Sequence, residues 1–182
     1  MMRKWAIAAI LALGLSVPAA ADLPVGAKAP VFTTKAALAG KEFGFNLRAA
    51  LSKGPVVLYF YPKAFTQGCT LEANAFAEAM PQFKAAGATV VGMSNDTIDT
   101  LKRFSREECR DAFAVGVASR QVIDAYDVAL VRDGKDTGIT SRTSYVIAPS
   151  GRITMVHSDM DYRDHVRLTL EAVRKLAPKP KR

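Results

Sequence analysis

Cysteine and histidine, the side chains that most often bind metal ions, are scarce in this chain of 182 residues. The sequence contains only Cys69, Cys109, His157 and His165, and no two of them form a close pair of the C-x-x-C kind. A structural zinc site needs such pairs, so the sequence disfavours one and offers no cofactor site. We expect His157 to lie in an edge strand and His165 on the surface of a helix. A catalytic Cys–His pair is a minor alternative.

Long apolar runs are also scarce, and the most extended one lies near the N-terminus. Residues 6–17 are almost wholly apolar, Arg3 and Lys4 precede them, and Pro18-Ala19-Ala20-Ala21 follows. This is the pattern of a secretory signal peptide, and the run is shorter than the roughly 20 residues of a membrane span. We therefore expect a signal peptide at residues 1–21 and an exported protein, with the bacterial periplasm as its compartment.

Charge and length limit what the remaining chain does. Cleavage after Ala21 leaves 161 residues, enough for one domain at 22–182, and loss of Arg3 and Lys4 lowers the formal charge from +8 to +6. The basic residues are scattered and cluster only in the C-terminal APKPKR. Nucleic-acid binding, which needs a basic stripe with aromatics, is not expected. We also expect no membrane association after cleavage, and a monomer or weak dimer.

Apolar runs and helical patterns alternate through this domain. Residues 56–61, VVLYFY, form a continuous apolar run typical of a strand buried on both faces. Other strands are predicted at 88–93, 113–117, 143–148 and 152–157, and helices at 47–52, 66–86, 97–109, 119–126 and 162–176. Pro81 predicts a kink or restart in the second helix, and residues 94–96 supply capping oxygens for the third. This order predicts an α/β fold, a three-layer α/β/α sandwich with a mixed central sheet.

Cys69 follows the central strand in the stretch YPKAFTQGCT, where the next helix begins. A cysteine in the first helical turn faces unpaired backbone N–H groups and the positive end of the helix dipole, which favour an anion. Thr66 stands three residues earlier, so its hydroxyl can approach the backbone N–H or the sulfur of Cys69. Gly68 allows close approach to the backbone, and Pro62 forms a dry wall beside the sulfur.

The helix terminus alone does not account for a reactive thiolate. Moving the pKa of an ordinary thiol from about 8.5 to about 6.5 requires about 2.7 kcal/mol. A helix terminus contributes about 0.3–1 kcal/mol, and about 2 kcal/mol in a partly buried site. A cation is therefore needed as well. Arginine suits this role because its planar fork can hold the sulfur and a second polar atom together.

The same stretch carries a family resemblance. Pro62, Thr66 and Cys69 fit the Pro-x-x-x-Thr-x-x-Cys signature of peroxiredoxins, and VVLYFYPKAFTQGCTLEA resembles the bacterioferritin comigratory protein branch of that family. The resemblance implies a thioredoxin-like fold and thiol-dependent reduction of hydrogen peroxide and organic hydroperoxides without a cofactor. It also implies a thioredoxin-like or other thiol reductant as partner.

The resemblance implies a role for each matching residue. Cys69 is the peroxidatic cysteine, whose thiolate becomes a sulfenic acid, while Thr66 orients the peroxide and Pro62 shields the sulfur. Arg142, in SRTSYVIAP, matches the arginine that supplies the cation, and Glu72 matches a glutamate that helps to hold that arginine.

Cys109 is the candidate resolving cysteine. Many members of this branch carry a second cysteine five residues after the first, where this chain has Asn74. Cys109 falls on the inward face of the helix predicted at 97–109, the helix on which some relatives carry their resolving cysteine. Because a sulfenic acid on Cys69 needs a thiol partner, the resemblance leads us to expect an intramolecular disulfide between Cys69 and Cys109. Alternatively, Cys109 is an inert buried residue in a single-cysteine peroxidase.

Two other functions remain open to test. One is a non-catalytic exported domain in which Cys69 and Cys109 form a permanent structural disulfide. The other, a dithiol oxidoreductase of the thioredoxin type, is disfavoured because the chain lacks C-x-x-C.

Overall fold

The computed structural model describes residues 22–177, so the predicted signal peptide and the last five residues lie outside the described part of the chain. The described residues form one large sheet with helices on both faces, a small second sheet, and a short 3₁₀ turn at Tyr162–Asp164. The elements in chain order are β1 (Thr33–Leu38), β2 (Lys41–Asn46), α1 (Leu47–Leu51), β3 (Val56–Phe60), α2 (Gln67–Ala85), β4 (Thr89–Ser94), α3 (Ile98–Glu107), β5 (Ala114–Val117), α4 (Arg120–Tyr126), β6 (Ala129–Arg132), β7 (Lys135–Thr140), β8 (Thr143–Ile147), β9 (Ile153–Ser158) and α5 (His165–Leu176).

The large sheet is mixed, as predicted, and has the strand order β2-β1-β5-β4-β3-β8-β9. β3 pairs with β4 in parallel and with β8 antiparallel, and all five of its residues are buried. The apolar run at 56–61 is therefore an inner strand of the sheet. The loop that follows β3 carries the peroxiredoxin-like signature into α2.

Two apolar clusters cover the two faces of the sheet and give the predicted three layers. On one face, α2, α3 and α5 pack over the sheet through side chains such as Phe76, Phe83, Leu101, Phe104 and Val173. On the other face, α1 and α4 pack through Leu47, Leu51, Val122, Ile123 and Tyr126. Alternate residues of β3 face the two clusters, which explains why its sequence is apolar throughout.

Two strand pairs were missed at the level of the sequence. β1 and β2 form a hairpin whose residues are mostly exposed, so they lack an apolar run, and its turn uses Ala39 and Gly40 at positive φ. β6 and β7 form the small sheet around Asp133-Gly134, which also have positive φ. An Asp-Gly pair is a strong hairpin signal, so this second hairpin was detectable.

α2 continues through Pro81 without a restart, which was one of the two alternatives predicted there. Two details of α3 differ from the sequence prediction. The cap of α3 is Thr97, whose hydroxyl accepts a hydrogen bond from the backbone N–H of Thr100, and α3 ends at Glu107. Cys109 therefore lies in the loop after α3. Among residues 22–177, no helix combines the length and the apolar character that crossing a bilayer requires.

Tight packing around Gly92 gives a test of this core. A Cβ atom at Gly92, a buried β4 residue, would lie 2.8 Å from the hydroxyl of Tyr59, whose ring stacks on Phe76 at 4.3 Å. We expect Gly92→Ala to lower the free energy of unfolding in urea by about 1–3 kcal/mol. Gly44→Ala is the control, since the exposed Gly44 has no atom within 4 Å of the added Cβ. Equal effects of the two substitutions would contradict this packing.

Candidate active site

Cys69 is the third residue of α2 and is 2% exposed. The helix begins there because Thr66, in an extended conformation, is its N-cap, and Pro62 fixes the loop just after the central strand. The sulfur thus lies at the N-terminus of a 19-residue helix, as the sequence predicts. A helix N-terminus is a position that attracts an anion.

Arg142 supplies the cation that the sequence analysis required. It lies between β7 and β8, is 4% exposed, and its Nη2 lies 3.5 Å from the Sγ of Cys69. Its Nη1 donates a hydrogen bond to the Oε2 of Glu72, and its Nε donates to the carbonyl of Met160 at 3.0 Å. Each of the three guanidinium nitrogens therefore has a partner. Arg142 thus contacts both Cys69 and Glu72, although it is far from them in the sequence.

Gly68 also makes room for Arg142, in addition to the close approach of a ligand that the sequence predicts. A Cβ atom at this position would lie 3.2 Å from the Nη2 of Arg142. This separation is tighter than an ordinary van der Waals contact, so a side chain here would press on the guanidinium. The missing side chain of Gly68 thus leaves space for the arginine beside the sulfur.

Thr66 does not make either contact that the sequence suggested. Its hydroxyl donates to the carbonyl of Lys63 at 2.9 Å and makes no capping bond to the N–H of Cys69. The side chain is exposed, and Pro62 is half-buried in the same loop. The hydroxyl closes the loop locally because Thr66 and Lys63 are three residues apart, a spacing at which a short polar side chain readily bonds to the backbone.

Asp96 and Phe65 also shape the loop, and sequence reasoning missed both. The carboxylate of Asp96 accepts hydrogen bonds from the backbone N–H of Ala64 and from Ser94, each at 2.8 Å. Phe65 has a positive φ of 63°, and its ring lies 5.2 Å from that of Phe104. Asp96 was assigned to helix capping from its position, and only the tertiary structure shows that it anchors the loop before Cys69.

Glu72 is fully buried, and only one of its carboxylate oxygens is bonded. Among the described residues, Oε1 has no hydrogen-bond partner, while Oε2 accepts from Arg142. Burial raises the pKa of Glu72 to about 8, and Arg142 opposes this effect. A single cation thus serves two acidic groups, Glu72 and Cys69. When Glu72 holds a proton, the charge of Arg142 is left to the sulfur.

The prediction that His165 lies on the helix surface is wrong. The residue is fully buried at the start of α5, its Nδ1 lies 2.8 Å from the Oγ of Ser144, and its Nε2 lies 2.9 Å from the carbonyl of Asp159. Burial lowers the pKa of His165 to about 4, so the ring is neutral at neutral pH. His165 shares a helix face with Thr169, which is also buried, and a polar pair of this kind gives no burial signal in a sequence.

His157, the other histidine, lies in the edge strand β9 as predicted. Its ring is 4.5 Å from the ring of His165. Within residues 22–177, however, no group of three or more Cys, His, Asp or Glu side chains is arranged to hold a metal ion.

Cys109 is fully buried beside α2 and is a free thiol, as is Cys69. The residues on either side of Cys109 in the sequence both contact α2. Glu108 lies 3.4 Å from the Nδ2 of Asn74, and the Nη1 of Arg110 lies 3.2 Å from Glu78. Burial raises the pKa of Cys109 well above its usual range. The inward orientation is therefore confirmed, whereas the placement of Cys109 within the helix is wrong.

The AhpC/TSA family matches residues 25–156, most of the described chain. The chain belongs to this family. Peroxiredoxin Bcp of Escherichia coli strain K12 is 33% identical over 112 residues, which cover 60% of this chain and 72% of that protein. A Bcp-type putative peroxiredoxin of Coxiella burnetii is 31% identical over 148 residues, covering 80% of this chain and 95% of its relative.

Solved structures of peroxiredoxins have the same fold. Peroxidoxin BcpB of Mycobacterium tuberculosis superposes with a TM-score of 0.75 at 28% identity, covering 85% of this chain and 98% of that one. The bacterioferritin comigratory protein of Xanthomonas campestris, studied for its alkyl peroxide reduction activity, gives 0.69 at 27% identity, with 79% and 92% covered. The fold is therefore thioredoxin-like, and this AhpC/TSA member is a peroxiredoxin, a thiol-dependent peroxidase.

The buried Glu72 carboxyl makes stability depend on pH. Its pKa is higher in the folded chain than the usual 4.5, so its contribution is complete below about pH 4.5 and is lost as pH rises through about 8. His165, with a lowered pKa of about 4, acts oppositely and contributes fully above about pH 6.5. Between pH 6.5 and 8, the change in stability with pH therefore reports on Glu72 and not on His165.

We expect the Cys69→Ser chain, which removes the thiol titration, to lose about 1–2 kcal/mol of unfolding free energy between pH 6.5 and 8. The Cys69→Ser/Glu72→Gln chain should show much less loss, because the glutamine side chain carries no titrating proton. Urea unfolding of both chains at each pH measures the difference. Parallel pH dependences would show that Glu72 is already ionised at pH 6.5.

Proposed function

We propose that Cys69 is the peroxidatic cysteine of this peroxiredoxin. The observation that carries this assignment is the contact of its buried sulfur with Arg142 at 3.5 Å, at the N-terminus of α2. The thiolate attacks one oxygen of the hydroperoxide, so an S–O bond forms as the O–O bond breaks. The second oxygen leaves with the electron pair, takes up a proton and departs as water or an alcohol, and Cys69 becomes a sulfenic acid.

Arg142 has two tasks in this step. Its positive charge stabilises the thiolate before the attack, and its N–H groups are placed to stabilise the charge that develops on the leaving oxygen. The hydrogen bonds from Arg142 to Glu72 and to the carbonyl of Met160 keep the guanidinium from swinging into solvent. Glu72 is thus a positioning residue for the arginine.

Thr66 and Pro62 complete the mouth of the site. The hydroxyl proton of Thr66 is used on the carbonyl of Lys63, which leaves the lone pairs of its oxygen free to accept a hydrogen bond. We assign to Thr66 the acceptance of the hydroperoxide proton, which orients the O–O bond towards Cys69. Pro62 has no N–H group and shields the sulfur from water.

The proposed substrates are hydrogen peroxide and organic hydroperoxides. The alkyl peroxide activity described for the Xanthomonas campestris relative supports the second class. Phe65, which is 37% exposed, lies directly before Thr66 and provides an apolar surface at the mouth for an alkyl group.

Cys109 is the proposed resolving cysteine. The residues that flank it, Glu108 and Arg110, contact Asn74 and Glu78 of α2. Along the axis of α2, these two contact points lie about 7.5 and 13.5 Å beyond Cys69. Disulfide formation requires Cα atoms about 4.4–6.8 Å apart. We therefore infer that the first turns of α2 unwind after oxidation, so that Cys69 can reach Cys109 and the disulfide forms with release of water.

The loop after Cys109 can assist this rearrangement. Arg110 and Asp111 both have positive φ, 50° and 56°, and two successive non-glycine residues in this region are strained by about 1–2 kcal/mol each. Movement of the loop would release that strain. It would also expose the Cys109 thiol, whose raised pKa makes it a poor nucleophile while buried.

Reduction of the disulfide returns the enzyme to its starting state. Within the peroxiredoxin family this task falls to a thiol reductant, and we propose a thioredoxin-like protein as the partner. We further propose that the chain is exported by its predicted signal peptide at residues 1–21 and acts in the bacterial periplasm as a monomer or weak dimer. The reductant must then be supplied outside the cytosol.

The cysteine roles are tested by single-turnover consumption of hydrogen peroxide. We expect Cys69→Ser to abolish the first turnover, because it removes the nucleophile. Cys109→Ser should keep the first turnover and lose recycling with a disulfide reductant. Mass spectrometry of the wild-type chain after one equivalent of peroxide should find Cys69 joined to Cys109 within one chain.

Two outcomes would contradict these roles. Persistent sulfenic or sulfinic acid on Cys69 in the wild-type chain would show that Cys109 is inert. A Cys69–Cys109 disulfide that persists under mild reductant would instead support a structural disulfide and a non-catalytic domain.

A further inference from the structure

His165 is a buried polar residue for which the proposed catalytic cycle has no use. Its Nδ1 lies 3.8 Å from the Oε1 of Glu72, while Arg142 donates a hydrogen bond to the other carboxylate oxygen, Oε2. This oxygen is the one that has no hydrogen-bond partner among the described residues. The two unexplained buried groups of the site therefore face each other.

The hydrogen bonds of His165 determine which of its nitrogens carries the proton. Nε2 faces the carbonyl oxygen of Asp159 at 2.9 Å, and a carbonyl can only accept, so Nε2 is the protonated nitrogen. The ring is fully buried and neutral, so Nδ1 carries a lone pair and accepts from the hydroxyl of Ser144 at 2.8 Å. The negative end of the imidazole dipole is thus directed towards Glu72.

This arrangement distinguishes the two protonation states of Glu72. An ionised Oε1 would face the partially negative Nδ1 of the neutral ring at 3.8 Å, which is repulsive in a buried site. A proton on Oε1 removes that repulsion and is attracted to Nδ1. The separation of 3.8 Å is longer than a hydrogen bond, and the lone pair of Nδ1 already accepts from Ser144, so the interaction is electrostatic at this distance. It becomes a hydrogen bond only if the carboxyl moves by about 1 Å and the Ser144 hydroxyl rotates away.

Other charged and titratable groups surround this pair from each neighbouring element. Arg142 and Tyr59 face Glu72 from the loop before β8 and from β3. The groups that face His165 are His157 of β9, Arg142, and Asp159 and Asp161 of the loop before α5. Arg142 favours ionised Glu72, so the preference imposed by His165 acts directly against that of the arginine.

We propose that His165 is a positioning residue that holds a proton on the Oε1 of Glu72 and thereby leaves the positive charge of Arg142 to the thiolate of Cys69. The proposal rests on the roles proposed above for Cys69 and Arg142. Neutral Glu72 still accepts the hydrogen bond from Arg142 through Oε2, so the guanidinium keeps its place. Ionised Glu72 would compete with the thiolate for the one cation.

The first test measures the thiolate of Cys69 by its rate of alkylation with iodoacetamide as a function of pH. All chains carry Cys109→Ser, so that only one thiol reacts. We expect His165→Leu to slow alkylation at pH 6.5 about three- to tenfold and to move the midpoint of the profile to higher pH. His165→Gln, which keeps an acceptor and a donor, should retain most of the wild-type rate.

The Glu72→Gln/His165→Leu double substitution tests whether His165 acts through the Glu72 carboxyl or only through its packing in the core. In a Glu72→Gln background, no carboxyl competes for Arg142, so His165→Leu should no longer move the midpoint. His157→Leu is the matched control, because it alters the neighbouring ring and leaves the Nδ1 acceptor in place, and it should not move the midpoint. An equal shift in the Glu72→Gln background or in His157→Leu would overturn the proposal.

Infrared spectroscopy tests the Glu72 proton without relying on the cysteine. The folded chain at pH 6.5 should show the carbonyl stretch of a protonated carboxylic acid, and Glu72→Gln should remove it. His165→Leu should weaken that band, whereas His165→Gln should retain it. A band of full strength in His165→Leu would overturn the role of His165 even if Cys69 is the peroxidatic residue. If the infrared bands behave as expected but the wild-type chain does not react with hydrogen peroxide, the roles of Cys69 and Arg142 are contradicted instead.

Discussion

The contact between the Arg142 guanidinium and the Cys69 sulfur is the interaction on which the rest of the site depends. A helix N-terminus alone stabilises an anion by too little to make a reactive thiolate at neutral pH. In the proposed mechanism the buried arginine supplies the remainder, because its charge acts at short range, where water does not screen it. Gly68, Glu72 and the carbonyl of Met160 are arranged around this guanidinium, and each either makes room for it or holds it.

The fold brings these groups together at one end of the sheet. β3 and β8 are neighbouring antiparallel strands, so the loop after β3 and the residues before β8 lie at the same end. α2 starts at that end with Cys69, and the opening turn of α5 covers it with His165. Burying an arginine is costly unless its nitrogens find partners, and each of the three nitrogens of Arg142 has one.

The sequence predicts the sheet centre and the position of Cys69 better than it predicts the surroundings of the site. The VVLYFY run and the Pro62, Thr66 and Cys69 pattern are local signals, and both lead to the correct elements. Glu72 and Arg142 came from family resemblance. His165 and the anchoring role of Asp96 follow from contacts between distant segments, which a local pattern does not contain. The end of α3 at Glu107 was likewise missed, because inward spacing continues into the loop that carries Cys109.

The most direct measurement is the thiolate absorbance of Cys69 in the Cys109→Ser chain, recorded across pH with and without Arg142→Lys. The account predicts that Arg142→Lys, which replaces the fixed planar fork by a flexible ammonium group, moves the rise of this absorbance to higher pH. A pH profile that is unchanged by Arg142→Lys would contradict it.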